Sequence, residues 1–402
     1  MKNKKNSQPA KKKRNLNAVS GIDWMLVLIV VVLLIFGLIM LYSASSYNSQ
    51  IKFGTSAWYV KKQIFSTLIG LVGMFVIAFV PINFWRKAAI PLYILGVLSV
   101  LLILTPLGGE EINGAKRWLD LKVISVQPAE ILKVALVAAM AFFIAKFIKY
   151  LDDWRIYVIG FSICLIACAL TLFVTDDLGT AIIIFAMGFV MMLVAAPRVL
   201  YLVITIVVAL AAVVGVILIK PNKLVRVKAW IHLDQYSDDI GYQITQALYA
   251  IGSGGIFGKG LGKSTQKMGF VPESENDMIF SIICEELGII GGIILILLIV
   301  LLIWRMKKIY DKTDDIFGKV MVAGVATHIA MQTFVNIGVV SNLLPNTGVP
   351  LPFMSYGGTA ILFLLAEIGI VLAVGRVKQK DPVDKRKEYY RRDKERGVIY
   401  FQ

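Results

Sequence analysis

Ten stretches of this chain are apolar over about the length a bilayer demands, and no other feature restricts its fold as severely. A hydrocarbon core about 30 Å thick is crossed by roughly 20 helical residues rising 1.5 Å each. Runs approaching or exceeding that length occupy residues 25–41, 64–80, 88–104, 128–147, 156–174, 178–195, 199–219, 278–304, 317–340 and 355–374. With 58% hydrophobic and 17% charged residues over 402 positions, a soluble globular domain is excluded. The expectation is an all-α integral membrane protein with ten transmembrane helices and a long extracytoplasmic loop between the seventh and eighth.

The formal charge of +16 would suit a nucleic-acid binder, but its distribution argues otherwise. Residues 1–20 hold seven basic and no acidic side chains, and residues 376–402 hold ten basic and five acidic, so the two ends supply twelve of the sixteen charges. No basic domain is left for nucleic acid. Ten spans put both ends on one side, and the preference of Lys and Arg for the cytoplasm makes both termini cytoplasmic. Arg86, Lys87, Lys146, Lys149, Arg155, Arg198, Arg305, Lys307, Lys308 and Lys312 fall on that same side, whereas Lys61 and Lys62 are exceptions. The first run has the basic flank of a signal peptide, but its 17 residues exceed the usual cleaved core, so it reads as a retained span. The chain thus divides into a basic tail (1–20), a membrane domain (21–377) and a charged tail (378–402).

Chemistry must come from carboxylates, Lys and Arg. Cys164, Cys168 and Cys284 lie in apolar runs, and His232 and His328 are the sole histidines, which leaves no metal cluster or Ser-His-Asp set in the pattern. Two connections, 105–127 and 220–277, are too long for simple turns. In the second, Ile244, Ala247, Leu248 and Ile251 recur at helical spacing, either flat in the membrane interface or packed as a short helix on the bundle. Gly262-Lys263-Ser264 has the ending of a phosphate loop, but Phe257 stands where that motif needs glycine.

Asp277 precedes the eighth span, where a carboxylate either caps the helix or works beside Lys267, Glu273 and Glu275 on one rim. Glu285, Glu286, His328 and Glu367 lie at membrane depth, where ionisable groups are paired or face a cavity. Asp277 and Glu285 are eight residues apart, about 12 Å of helix, too far for a retaining glycosidase pair. A structural ion pair is therefore expected for the Glu285-Glu286 doublet. Glu130 and Lys133 either neutralise each other or leave Lys133 to clamp a phosphate with Arg117, whose neighbour Trp118 also suits an interfacial anchor. Between residues 336 and 359, Pro345, Pro350, Pro352 and several glycines forbid a regular helix and predict a re-entrant segment lining a cavity.

Over residues 23–377 the chain resembles the SEDS polymerases, the family of FtsW, RodA and SpoVE. The resemblance rests on Tyr42-Ser43-Ala44-Ser45 following the first span, Gly114-Ala115-Lys116-Arg117-Trp118, and Gln127-Pro128-Ala129-Glu130-Ile131-Leu132-Lys133. It extends through Asp177-Leu178-Gly179-Thr180-Ala181, Gly241-Tyr242-Gln243, Pro272-Glu273-Ser274-Glu275-Asn276-Asp277, Glu285-Glu286-Leu287-Gly288, and the long Pro350-to-Gly358 block that includes Ser355. Departures include Thr175-Asp176 for a usual Gln-Pro, Asn276 for Thr, Met278 for Phe and Ala129 for Ser. Gln332, Asn336, Val339 and the long tails lean toward the FtsW division type.

The resemblance implies a peptidoglycan glycosyltransferase of the bacterial cytoplasmic membrane, polymerising lipid II into glycan strands at its outer face. It implies Asp277 as the catalytic carboxylate, with Arg117, Trp118, Lys133, Lys267 and Ser355 toward the substrate and Glu130, Asp177, Glu273 and Glu285 as supporting charges. Expected partners are lipid II and lipid-linked glycan, a class B penicillin-binding protein, and other membrane proteins of the division or elongation complex. A divalent cation, Mg or Mn, is the one cofactor anticipated. Joining sugars through a diphosphate leaving group asks for one general base with cationic stabilisation, in an inverting transfer. Two other readings of the spans are a lipid II flippase and a noncatalytic divisome scaffold; the first predicts charges along a route across the membrane, the second indifference to loss of Asp277.

Overall fold

The computed structural model describes residues 21–109, 111, 116–120, 125–195 and 198–376; both tails, 1–20 and 378–402, and the Gly114-Ala115 start of one motif lie outside them. In chain order the helices are α1 (Trp24–Phe53), α2 (Trp58–Phe79), α3 (Ile82–Leu101), α4 (Pro128–Phe147), α5 (Trp154–Phe173), α6 (Leu178–Val194) and α7 (Val199–Ile219). There follow α8 (Pro221–Ile231), α9 (Tyr242–Gly254), α10 (Ile279–Lys312), α11 (Ile316–Val340) and α12 (Gly358–Gly375).

Among the described residues, nine helices are long and apolar enough to cross a membrane, and the tenth expected span is the shorter α6 of 17 residues. Some helices overrun the apolar runs. α1 is 30 residues long, so Tyr42-Ser43-Ala44-Ser45 lies inside it and not beyond it. Polar residues continue the helix because their backbone bonds remain internal while Asp23 caps one end and Gly54, at φ 72, closes the other. The first long connection adds strands β1 (Leu119–Asp120) and β2 (Ser125–Val126), a small antiparallel hairpin in an otherwise helical protein.

Two groups of charges mark one end of the bundle. Asp23 pairs with Arg305 at 2.9 Å and Arg86 with Asp315 at 2.8 Å. The opposite end carries the long connection, which folds into α8 and α9. Ile244, Ala247, Ala250 and Gly254 of α9 are buried, and α9 packs on α10. The packed-helix alternative is therefore the correct one.

The glycine-rich run that follows repairs a break in a neighbouring helix. α10 leaves helical geometry at Gly288, with φ 71 and ψ −175. Lys259 and Gly260 donate their N–H groups to the carbonyls of Glu285 and Glu286, while Ile289 and Ile290 donate to those of Gly255 and Ile256. This pairing satisfies groups that the break would orphan inside the protein. It also needs very close backbones, because a Cβ on Gly288 would overlap the Ile256 carbonyl oxygen. Gly288→Ala should therefore cost several kcal/mol, about 3 or more, read as a lower melting temperature in detergent; an unchanged melt would contradict this account of the break.

The 341–357 segment turns back against α1. A Cβ on Gly37 would collide with the Phe353 carbonyl, so a bare α1 backbone is what admits this loop. Gln332 and Asn336 of α11 donate to the Pro350 and Val349 carbonyls at 2.9 and 2.8 Å.

Candidate functional site

Asp277 sits in the turns before α10, at the long-connection end, and its side chain does not cap that helix. Three segments meet around it. Gln243 of α9 donates to Asp277 Oδ1 at 3.3 Å, and Asn346 donates to Gln243 Oε1 at 2.9 Å. Arg226 of α8 donates in turn to the Asn346 carbonyl at 3.3 Å. Asp277, Gln243, Asn346 and Arg226 thus form a polar arc from the start of α10, the long connection and the 341–357 segment.

The electrostatics suit a base. Burial, and then the Glu273 carboxylate, push the Asp277 carboxyl up to about 7, while its own and the Met278 N–H and Arg226 pull it down. Glu273 is exposed, adopts a left-handed φ of 55, and accepts from Asn276. Half-buried Arg226 is lowered by burial and by the neighbouring Arg117. Asp176, Asp177 and Asp277 act on Arg226 in the opposite sense, so the two guanidinium groups lie among carboxylates at this end of the bundle.

Arg117 itself donates to the carbonyls of Thr175 and Asp176, both at 3.3 Å, tying the first connection to the start of α6. Trp118, beside it, is half-buried and accepts through its carbonyl from the Gly109 N–H at 2.9 Å. Asp176 bridges Lys220 and Lys223. Burial alone would raise its carboxyl, but hydrogen bonds and charge from these two lysines outweigh burial and hold it below the usual range. Asp177 caps α6, accepting from the Thr180 N–H and hydroxyl at 2.9 Å each.

Other expected site residues serve internal partners. Lys133 lies 2.8 Å from Glu130 and 2.8 Å from His328 Nε2, and His328 Nδ1 lies 2.6 Å from Glu367, making a buried chain across α4, α11 and α12. Lys267 pairs with Glu286 at 2.7 Å and donates to Ser43 at 2.9 Å; Lys259 pairs with Glu285 at 2.6 Å. The Gly262-Lys263-Ser264 turn cradles carboxylates, not phosphate: Gly262 N–H donates to Glu286 at 3.0 Å and Ser264 hydroxyl to Glu285. Ser355 donates to the Asn276 carbonyl at 2.6 Å.

The sequence alone does not single out Arg226 or Asn346, and it places Gln243 only within a motif. One signal points to the first: Lys220, Lys223, Arg226 and Lys228 concentrate four cations near one helix on the side where the orientation rule expects few.

The chain as a whole is similar to known proteins. A family model described as Cell cycle protein, covering FtsW, RodA and SpoVE, matches residues 23–380. The chain belongs to the FtsW/RodA/SpoVE family. It is 36% identical to Stage V sporulation protein E of Bacillus subtilis over 356 residues, spanning 88% of this chain and 97% of that one. It is also 36% identical to the "Probable peptidoglycan glycosyltransferase FtsW" of Trichlorobacter lovleyi over 355 residues, with 88% and 92% covered. Among solved structures, it resembles a chain from a study of structural coordination of polymerization and crosslinking by a peptidoglycan synthase complex. That likeness has TM-score 0.72 and 27% identity, covering 88% of this chain and 98% of that chain. Thermus thermophilus RodA is similar too, with TM-score 0.65 and 27% identity over 90% and 99%. This FtsW/RodA/SpoVE chain is a multi-pass membrane protein and a peptidoglycan glycosyltransferase.

Proposed function

We propose that the chain polymerises lipid II at the outer face of the bacterial cytoplasmic membrane, with Asp277 as general base in an inverting transfer. The observation that carries this reading is the polar arc of Asp277, Gln243, Asn346 and Arg226, with the Asp277 carboxyl raised by burial, at the end of the bundle opposite the Asp23–Arg305 and Arg86–Asp315 pairs. Basic tails and inner loops favour the latter end as cytoplasmic.

The acceptor sugar hydroxyl attacks the anomeric carbon of the donor as the carbon–oxygen bond to the lipid diphosphate breaks. Asp277 takes the hydroxyl proton, and the diphosphate leaves with its electron pair toward Arg226 and Arg117. Attack from the opposite face inverts the centre. Gln243, held by Asn346, orients the Asp277 carboxylate.

A divalent cation fits this site in a limited way. Among the described residues no group of three or more His, Cys, Asp or Glu is assembled for a metal. Glu273 and Asp277 are nonetheless mutually repelling carboxylates, and Mg or Mn is commonly held by one or two carboxylates plus substrate phosphates. Bound there, such an ion would offset charge on the diphosphate.

Similarity to the peptidoglycan synthase complex supports a class B penicillin-binding protein as partner, and relatives named FtsW and Stage V sporulation protein E support a division-type role. The test is the pH dependence of lipid II polymerisation by the purified protein with its partner. A base must be ionised, so the rate should rise with pH through about 7. Glu273→Gln removes the repelling charge and should move that rise toward lower pH; a profile flat between pH 5 and 8 in both proteins would count against Asp277 as base.

A further inference from the structure

Asp277 lies in a strap, residues 272–278, that has turns but no helix or strand to stiffen it. Besides two internal backbone bonds, from the Asn276 and Met278 N–H groups to the Glu273 carbonyl, it is held from elsewhere. Three successive carbonyls of the strap each receive a hydrogen bond from the last third of the chain. Tyr356 N–H donates to Glu275 at 2.9 Å, Ser355 hydroxyl to Asn276 at 2.6 Å, and Asn336 amide to Asp277 at 2.7 Å.

We propose that Asn336 is a positioning residue for the transfer, fixing the main chain of Asp277 and the 341–357 segment as one unit. Its two amide hydrogens are shared between the Asp277 carbonyl and the Val349 carbonyl, at 2.7 and 2.8 Å. Both partners are acceptors, so the group facing them must supply two donors. Asn does so, whereas Asp of the same shape would present oxygen to oxygen. The Asn336 Oδ1 is buried without a hydrogen-bond partner among the described residues, so the orientation is set wholly by the two carbonyls. One turn away on α11, Gln332 holds the next carbonyl, Pro350, at 2.9 Å, and is itself braced by His328 at 2.7 Å. Ser355 closes the same joint from the far side, accepting from Leu351 N–H at 2.8 Å while donating to Asn276.

This inference rests on Asp277 being the base. A base acts within hydrogen-bond reach of its proton, and a displacement of about 1 Å is enough to cost roughly 10²-fold in rate. Asn336 is more than a packing residue if its loss changes the rate step and not substrate capture. The charged groups facing Asp277 are Glu273 and Arg226, and substitution at 336 leaves both in place.

The experiment measures lipid II polymerisation by the full chain with its transpeptidase partner, comparing wild type, Asn336→Asp, Asn336→Leu, Ser355→Ala and Asp277→Asn, each normalised to folded protein. For both Asn336 variants kcat should fall about 100-fold with KM within about threefold. The acidic limb should move above the wild-type value in Asn336→Asp, whose new carboxylate repels that of Asp277, and below it in Asn336→Leu, as the loosened strap admits water to Asp277. Ser355→Ala should move the limb the same way as Asn336→Leu with about a tenfold loss of kcat, and it decides the matter if the Asn336 variants do not fold. Unaltered kcat, or an unmoved limb, overturns the positioning role. If those variants behave as wild type while Asp277→Asn is inactive, the positioning role alone fails; activity in Asp277→Asn removes the base assignment itself.

Discussion

Glu286→Ala should destabilise the protein by about 3–5 kcal/mol, the usual cost of leaving one member of a buried ion pair alone. Lys267 Nζ would keep only the Ser43 hydroxyl, and the Gly262 and Ser264 N–H groups would lose their acceptor as well. The loop that mends the α10 break would thus be loosened at the carboxylate that pins it. Combining Lys267→Met with Glu286→Gln should cost less than Glu286→Ala alone, because no uncompensated charge remains. Thermal unfolding in detergent reads both. The pair of measurements also separates two roles for Lys267: if it served substrate, Lys267→Met would impair polymerisation while leaving the melting temperature where it was.

Asp277→Asn should have the opposite effect on stability. The Asp277 carboxyl titrates near 7 in the folded protein against 3.8 ordinarily, so the folded state disfavours its ionisation. The stabilisation associated with the neutral form is fully present below pH 3.8 and is lost as pH rises toward 7. At pH 8 the native protein carries the whole penalty, at most about 4 kcal/mol at 1.36 kcal/mol per pKa unit. An amide carries none. Asp277→Asn should melt higher than wild type at pH 8, with the difference shrinking toward pH 5, although it should not polymerise. A group kept where it harms stability and removed only with loss of activity is the behaviour expected of a site under strain for function. Equal melting curves at pH 8 would mean the carboxylate is better solvated than its surroundings suggest.

The architecture was legible because period and length suffice for helices that must satisfy every backbone group internally. Pro345, Pro350 and Pro352 likewise announced the interruption between α11 and α12. Local patterns fall short where long-range pairing decides. The glycines between 252 and 262 allow a close approach of other groups, but their pairing with Glu285 and Glu286, as in Lys259 N–H to Glu285 carbonyl some 26 residues on, has no local signature. Asp277 stood out through its motif, but Gln243 meets it from α9, Asn346 holds Gln243 from the 341–357 segment and Arg226 holds Asn346 from α8, and beyond the cations around Arg226 no local pattern encodes that meeting. Lys133 and Lys267 differ in this respect. For Lys133 the neutralising partner Glu130 was one of the two readings and is the one observed, whereas the resemblance set Lys267 toward the substrate and Glu286 engages it.

The central claim is that Asp277 takes the acceptor proton, and chain-length analysis of glycan tests it most directly. Purified wild type and Asp277→Asn, each with its transpeptidase partner, would be given lipid II at about pH 7.5, above the raised Asp277 value, and at equal folded concentration. Wild type should yield a ladder of polymer and Asp277→Asn none above the enzyme-free control. Glycan strands of ordinary length from the well-folded Asp277→Asn protein would contradict the account.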